Sequence, residues 1–131
     1  MIVLDTNAWI FWVAAPQRLS PKALVYLERE EPRSGIVVSV ISSWEVAVKV
    51  RKGKLELGMD VRSWLASAAA YPGVVVRPLD LADAVESSLL PGRFHDDPAD
   101  RMIIAVARRL DAPLITADRA MRRYPHVKTI W

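Results

Sequence analysis

The sequence predicts an α/β protein of three layers, in which a mainly parallel central β-sheet is flanked by α-helices. Short runs that are apolar at every position, beginning with Ile2–Leu4, alternate along the chain with longer segments of helical periodicity. Strands buried on both faces have this continuous apolar pattern, whereas half-buried strands alternate apolar and polar residues. Parallel strands also need crossover helices between them, which the alternation supplies.

Capping residues and helix breakers set the boundaries of the elements. Ser20 followed by Pro21 is typical of a helix start, and Pro98 opens a longer helix near the carboxyl end. Pro32 and Gly53 each end a helix. The predicted strands are residues 2–4, 36–38, 74–76, 114–115 and 127–130, and the predicted helices are 6–14, 21–31, 40–52, 60–70, 81–89 and 98–110.

Length and composition indicate one compact domain over residues 1–131. A hydrophobic content of 52%, with five tryptophans, is enough for a packed core. No apolar run reaches the roughly 20 residues of a membrane-spanning helix, and no secretory signal is visible, so we expect a cytoplasmic protein without membrane contact. The absence of cysteine excludes disulfides and thiolate zinc sites, which leaves metals that prefer oxygen ligands.

The net charge of +3, from 18 basic and 15 acidic residues, is by itself weak support for nucleic-acid binding. The basic residues fall into two groups. Each group is compatible with solvated helix ends or with a nucleic-acid surface. The first group is Lys49, Arg51, Lys52 and Lys54, and the second is Arg108, Arg109, Arg119, Arg122, Arg123 and Lys128.

Two aspartates follow predicted strands, at the edge where parallel sheets bind their ligands. Asp5 comes directly after strand 2–4, and Asp118 follows strand 114–115 through Thr116 and Ala117. Each has a structural alternative. Asp5 is a good cap for the helix that follows it, and Asp118 is a favourable acid beside a helix amino terminus.

Two further acids, Glu45 and Asp100, are predicted to lie on apolar helix faces. A buried, isolated carboxylate is unfavourable unless it is paired or binds a metal. The structural alternatives are an ion pair between Glu45 and Lys49, and a reciprocal capping arrangement between Asp97 and Asp100. The residues that share these faces at helical spacing are Ile41, Trp44 and Val48 for the first acid, and Ile103, Ile104 and Ala107 for the second.

Convergence of the four carboxylates would be opposed by their charges. Two like charges 4 Å apart repel by about 4 kcal/mol at an intermediate dielectric, and a divalent cation relieves this repulsion. Oxygen ligands without cysteine suit Mg²⁺ or Mn²⁺, and Mg²⁺ completes its coordination with water and substrate phosphate. The residue types therefore indicate phosphodiester chemistry.

Four blocks occur in order along nearly the whole chain: VLDTN at residues 3–7, SWEVAVK at 43–49 followed by GKL at 53–55, HDDPADR at 95–101, and LITAD at 114–118. In these blocks the chain resembles VapC toxins of the PIN-domain nuclease family, and the terminal Trp131 also fits. One block alone is a weak signal, but four in the right order and spacing are specific.

The resemblance implies a PIN-like fold and an Mg²⁺- or Mn²⁺-dependent endoribonuclease, the toxin of a type II toxin–antitoxin pair, which hydrolyses RNA phosphodiester bonds with metal-activated water. Asp5 and Asp100 are the first candidates for metal ligands, while Glu45 or Asp118 orients the water or holds a second ion. In full, the implied catalytic and metal-binding residues are Asp5, Glu45, Asp100 and Asp118, the supporting residues are Asn7, Thr116 and Asp97, and the contacts to substrate phosphate are Lys49 and Arg101.

His95 is a separate case within the third block. Its neighbours Asp96 and Asp97 favour its charged form, and we expect it to be a solvated loop residue that the site does not require.

The resemblance also implies partners. These are a cognate antitoxin, an RNA substrate, a second copy of the chain in a homodimer, and operator DNA bound only through the antitoxin complex. The antitoxin is expected to lay a helix on an apolar surface near Trp9, Trp12 and Trp44 and to send a basic residue toward the carboxylates. Alternatively, these tryptophans belong to the core.

Two other functions fit the predicted fold less well. A haloacid-dehalogenase-like phosphatase also has an aspartate after its first strand, but it needs a second one two positions later, where this chain has Asn7. A catalytically silent RNA- or protein-binding module has no need of the carboxylates, and clustered negative charge opposes phosphate binding.

Overall fold

The computed structural model describes every residue from Met1 to Trp131. It contains five strands and seven α-helices. The strands are β1 (Ile2–Leu4), β2 (Ile36–Ser39), β3 (Val74–Arg77), β4 (Leu114–Ile115) and β5 (Thr129–Ile130). The helices are α1 (Thr6–Ala14), α2 (Pro21–Glu30), α3 (Val40–Arg51), α4 (Val61–Ala69), α5 (Leu81–Ser88), α6 (Pro98–Arg109) and α7 (Arg119–Arg123).

The five strands form one parallel sheet in the order β3-β2-β1-β4-β5. β1 lies in the centre, with Leu4 paired to Val38 of β2 and to Ile115 of β4. The chain runs outward from β1 in one direction through β2 and β3, and in the other through β4 and β5. This reversal opens a crevice at the carboxyl ends of β1 and β4, where ligands bind in such sheets.

Successive strand residues face opposite sides of the sheet and supply two separate cores. Leu4 and Val38 pack with α1, α2 and α4, through residues such as Trp9. Val3 and Val37 pack on the other side with α6. The three-layer α/β prediction is therefore confirmed. None of the helices combines the length and the apolar character needed to cross a lipid bilayer.

Most predicted boundaries are confirmed, including the cap at Ser20, whose hydroxyl accepts from the amide of Ala23 at 3.0 Å. Gly53 follows the end of α3 with a φ of 70°, a conformation that glycine adopts without strain. α2 ends at Glu30 and continues as a short 3₁₀ turn. The last strand was predicted over residues 127–130, but only Thr129–Ile130 pairs with β4.

Helix α7 was not among the predicted helices, although the structural alternative for Asp118 implied a helix start at that position. Its five residues are too few for a helical period to be visible in the sequence, and a local cap starts it instead. The carboxylate of Asp118 accepts from the amide of Met121 at 2.9 Å.

Candidate active site

Four elements bring their acidic side chains to one open pocket at the carboxyl ends of β1 and β4. All four acids that the sequence singled out line it, contributed by the end of β1, by α3, by α6 and by the cap of α7. The complete lining is Asp5, Thr6, Asn7, Glu45, Lys49, Asp97, Asp100, Asp118 and Met121.

Asp5 is the most buried acid of the pocket, with 6% of its surface exposed. One carboxylate oxygen caps α1 by accepting from the amide of Ala8 at 2.7 Å, and the other accepts from the hydroxyl of Thr116. Burial raises its pKa to about 6, and the charges of Asp118 and Glu45 add to this effect, although the two hydrogen bonds act against it. The capping role and the site position therefore coexist in one residue.

Thr116 links two carboxylates of the pocket. Its hydroxyl is fully buried, donates to Asp5 and accepts from the backbone amide of Asp118 at 3.0 Å. Asp118 itself is exposed and caps α7. Thr116 therefore contacts both acids, one through each function of its hydroxyl.

Glu45 lies half-buried on α3 and accepts a hydrogen bond from the hydroxyl of Thr6. The Thr6 hydroxyl oxygen is also 3.0 Å from the hydroxyl oxygen of the buried Ser42. Burial raises the pKa of Glu45, while the Thr6 hydrogen bond and the charge of Lys49 partly lower it. The sequence reasoning missed Thr6 and Ser42. Their positions carried a signal, because Thr6 directly follows Asp5 and Ser42 precedes Glu45 by one helical turn.

The alternative ion pair between Glu45 and Lys49 does not form. The ammonium group of Lys49 instead donates to the side-chain oxygen of the exposed Asn7 at 3.1 Å. Both residues line the acidic pocket. Lys49 is thus the only Lys or Arg side chain at the pocket, and it is not tied to a carboxylate.

Asp97 and Asp100 lie at the start of α6, where only half of the predicted reciprocal cap is present. Asp97 accepts from the amide of Asp100 at 2.9 Å, but its own amide donates to the ring Nδ1 of His95 at 3.3 Å. The Asp100 carboxylate therefore remains available to the pocket. Burial raises its pKa to about 7, and the charges of the surrounding acids, Asp97 and Glu45 first, add to the shift.

His95 was expected to be a solvated loop residue without a part in the site. It does lie in a loop with 42% of its side chain exposed, but its Nε2 is 3.3 Å from a carboxylate oxygen of Asp100. Because Nδ1 accepts a hydrogen bond, the proton of a neutral ring lies on Nε2 and faces Asp100. The geometry therefore adds His95 to the groups that orient the pocket.

The guanidinium group of Arg101 is engaged by backbone oxygens and lies outside the acidic pocket. Its guanidinium group donates to the backbone oxygens of Ser87, Phe94 and His95 at 2.8, 3.1 and 3.3 Å, and it does not line the pocket. A guanidinium that donates to several carbonyls ties separate segments together. Arg101 therefore holds the loop before α6, and we correct its predicted contact with phosphate.

The predicted apolar surface also needs correction. Trp9 and Trp12 are buried, and they pack edge-on against Trp64 and Tyr71 with ring centres 5.8 and 5.9 Å apart. Trp44 is 55% exposed, because α3 turns Ser42 and Val46 toward the protein instead. Of the three tryptophans, only Trp44 is exposed enough for a partner to contact it.

The donor set of the pocket fits a hard divalent cation. Its carboxylate, hydroxyl and amide oxygens suit Mg²⁺ or Mn²⁺. Burial first, and then the charges of the neighbouring acids, raise the pKa values of Asp5 and Asp100, and a bound cation would counter both effects. No three Asp, Glu or His side chains converge closely enough to enclose an ion by themselves. Mg²⁺ does not require this, because it is held by one or two carboxylates and keeps several waters.

Comparison with known proteins agrees with this architecture. The PIN-domain family model matches residues 2–127. Ribonuclease VapC22 of Mycobacterium tuberculosis (strain ATCC 25618 / H37Rv) is 35% identical over 133 aligned positions, which include 99% of this chain and 98% of that protein. The chain therefore belongs to the PIN-domain family, in its VapC ribonuclease branch.

Solved structures show the same fold at lower sequence identity. VapBC2 from Rickettsia felis, bound to a DNA fragment from its promoter, matches with a TM-score of 0.72 and 18% identity, over 99% of this chain and 98% of that one. DNA-bound VapBC from Salmonella typhimurium matches with a TM-score of 0.68 and 18% identity, over the same shares of the two chains.

Proposed function

We propose that this protein is an Mg²⁺- or Mn²⁺-dependent endoribonuclease and the toxin of a type II toxin–antitoxin pair. The observation that carries the proposal is the convergence of Asp5, Glu45, Asp100 and Asp118 on one pocket, with Lys49 as the only Lys or Arg side chain beside them. Membership of the VapC ribonuclease branch supports RNA as the substrate.

Asp5 and Asp100 are the residues that would hold the metal. Asp5 is fixed from both sides by Ala8 and Thr116, and Asp100 is oriented by His95. When bound, Mg²⁺ or Mn²⁺ supplies Lewis-acid chemistry and makes water a better nucleophile at neutral pH.

The other two acids act around that centre. Glu45 has its orientation set by Thr6, and Asp118 is set by its cap on α7 and by Thr116. Either carboxylate can accept a proton from an attacking water or bind a second cation. Lys49 provides positive charge at the mouth of the pocket, where it attracts the substrate phosphate.

The partners follow from family membership. We propose a cognate antitoxin that docks a helix over the exposed Trp44 and directs a basic side chain into the acidic pocket. The structural relatives from Rickettsia felis and Salmonella typhimurium are toxin–antitoxin complexes bound to DNA, which supports operator binding through such a complex. A homodimer of this chain is part of the same proposal.

The test is cleavage of end-labelled structured RNA by the purified protein in Mg²⁺ or Mn²⁺. We expect cleavage that EDTA abolishes and that the Asp5→Asn variant lacks, because the amide keeps the cap of α1 but loses the charge that binds a cation. Asp111→Asn, an exposed aspartate outside the acidic pocket, is the matched control and should cleave normally. Absence of cleavage across total RNA under all metal conditions would favour the silent binding module.

A further inference from the structure

A second pocket lies on the other side of α7 from the carboxylates, and we call it the basic pocket. α7 separates the two, since Met121 lines the acidic pocket while Arg119, Arg122 and Arg123 line the basic one. The full lining of the basic pocket is Lys22, Arg119, Arg122, Arg123, Thr129 and Trp131. The sequence placed three of these arginines in one basic group without assigning them a role.

The charges of the basic pocket are not neutralised by the protein. Its four cationic side chains are exposed, and none of them takes part in an ion pair. The other arginines of the same sequence group behave differently: Arg108 pairs with Glu86 at 3.1 Å, and Arg109 pairs with Asp80 at 2.8 Å. Four like charges in one pocket repel one another and are therefore suited to a polyanionic ligand.

Trp131 gives this pocket an aromatic wall. Its side chain is half-buried and packs against the core on the α1 side of the sheet, which fixes its position. No other aromatic ring or guanidinium group stacks on it. Cations beside an aromatic ring are the combination by which proteins hold single-stranded nucleic acid, because the phosphates meet the charges and a base stacks on the ring.

The basic pocket also lies close to the acidic pocket, where it could contact the RNA strand next to the cleaved bond. Asp118 caps α7, and the five residues of α7 extend for about 7 Å from it. Until a cation is bound, the acidic pocket repels the phosphates of an approaching RNA strand, so positive charge close by on the flank of the strand favours its binding. α7 provides that charge immediately beside Asp118.

We propose that the basic pocket binds the sugar–phosphate backbone of RNA next to the cleaved bond, with Trp131 stacking on one base. This inference rests on the proposed ribonuclease function and adds the residues that hold the substrate. An acidic polypeptide offers charge but no planar base for Trp131, so the aromatic wall favours RNA.

The experiment measures binding of a labelled single-stranded RNA in EDTA, in the Asp5→Asn background, at several salt concentrations. The test variant is Arg122→Gln/Arg123→Gln. Its matched control is Arg62→Gln/Arg93→Gln, which removes two exposed arginines that line neither pocket and form no ion pair. Circular dichroism and thermal unfolding confirm that each variant is folded.

We expect the test variant to bind RNA roughly tenfold more weakly and to lower the slope of log affinity against log salt by about 1.4, while the control changes neither. Trp131→Ala should weaken binding at least about fivefold without changing the slope, and Trp131→Phe should restore most of the loss. Equal binding by the test and control variants overturns the proposal. Binding of polyglutamate, an acidic polypeptide, is measured in parallel. The proposal is also overturned if the test variant loses polyglutamate binding but retains RNA binding.

Cleavage assays keep this inference separate from the proposed function. If the parent protein does not cleave RNA in Mn²⁺ but its binding depends on Arg122 and Arg123, the nuclease proposal fails and the RNA-binding pocket stands. If Arg122→Gln/Arg123→Gln, made in the protein with Asp5 intact, cleaves with an unchanged KM, the pocket assignment fails and the nuclease proposal stands.

Discussion

The hydroxyl of Thr116 donates to Asp5 and accepts from the amide of Asp118, so one buried side chain orients two acids of the pocket. Thr116→Val removes the donor. Since this hydrogen bond lowers the pKa of Asp5, the variant should raise that pKa and shift the acid limb of the cleavage pH profile upward. We expect a loss of stability of about 1–2 kcal/mol as well, and Thr116→Ser, which keeps the hydroxyl, should retain the parent profile.

Asp5 should make the metal-free protein less stable as the pH rises. Its pKa is about 6 in the folded protein against 3.8 for the free side chain, so the folded state binds more protons between these values. Stability from this group is therefore lost as the pH rises from about 4 to 6. In EDTA, Asp5→Asn should be more stable than the parent at pH 7.5, on the order of 1–3 kcal/mol, and much closer to it at pH 4.5. Thermal unfolding at the two pH values tests this, and an equal difference at both would contradict it.

Metal binding should release protons near neutral pH. Asp100 has a pKa of about 7 and Asp5 one of about 6, so a cation that binds their ionised forms displaces protons. Calorimetry of Mn²⁺ binding in two buffers of different ionisation enthalpy should give about one proton released at pH 6.5 and almost none at pH 8.5. The same proton count at both pH values would exclude these carboxylates as ligands.

His95 and His126 provide a matched pair of histidine variants. His95 lies 3.3 Å from Asp100, whereas His126 lines a different pocket with Arg108 and Lys128. Removing a group that orients a metal ligand commonly weakens the site, so His95→Ala should lower activity about tenfold and raise the Mg²⁺ concentration needed for half-maximal cleavage. His126→Ala should leave both quantities unchanged. Equal effects of the two substitutions would argue against an orienting role.

Arg101 should matter for stability rather than for substrate. It donates to three backbone oxygens, and its loss leaves these carbonyls without their charged donor. Arg101→Gln should lower the free energy of unfolding by about 2–3 kcal/mol while leaving the salt dependence of RNA binding unchanged. A flatter salt dependence without destabilisation would instead restore the predicted phosphate contact.

Local signals in the sequence were sufficient for much of the fold. Continuous apolar runs located the strands, and Ser20, Pro98 and Gly53 marked helix boundaries because their effects act within one helical turn. Asp5 and Asp118 were recognisable as site candidates because the carboxyl ends of parallel strands meet at one edge.

What the sequence did not reveal depends on contacts between distant segments. His95 reaches Asp100 only because the loop before α6 folds back, and Arg101 stabilises that loop. The exposure of Trp44 depends on the rotation of α3 about its axis, which an apolar sequence on several faces does not fix. α7 was too short for periodicity to show.

The central position of β1 in the sheet also determines when, during translation, the acidic pocket can form. The hydrogen bond between Asp5 and Thr116 joins positions 111 residues apart, and β1 has no neighbour on that side until β4 arrives. A ribosome adds about 5–20 residues each second, so a nascent chain spends seconds with Asp5 and Glu45 made but the pocket incomplete. A nuclease whose site forms in this order cannot cleave its own mRNA until residue 118 has been translated and has left the ribosome.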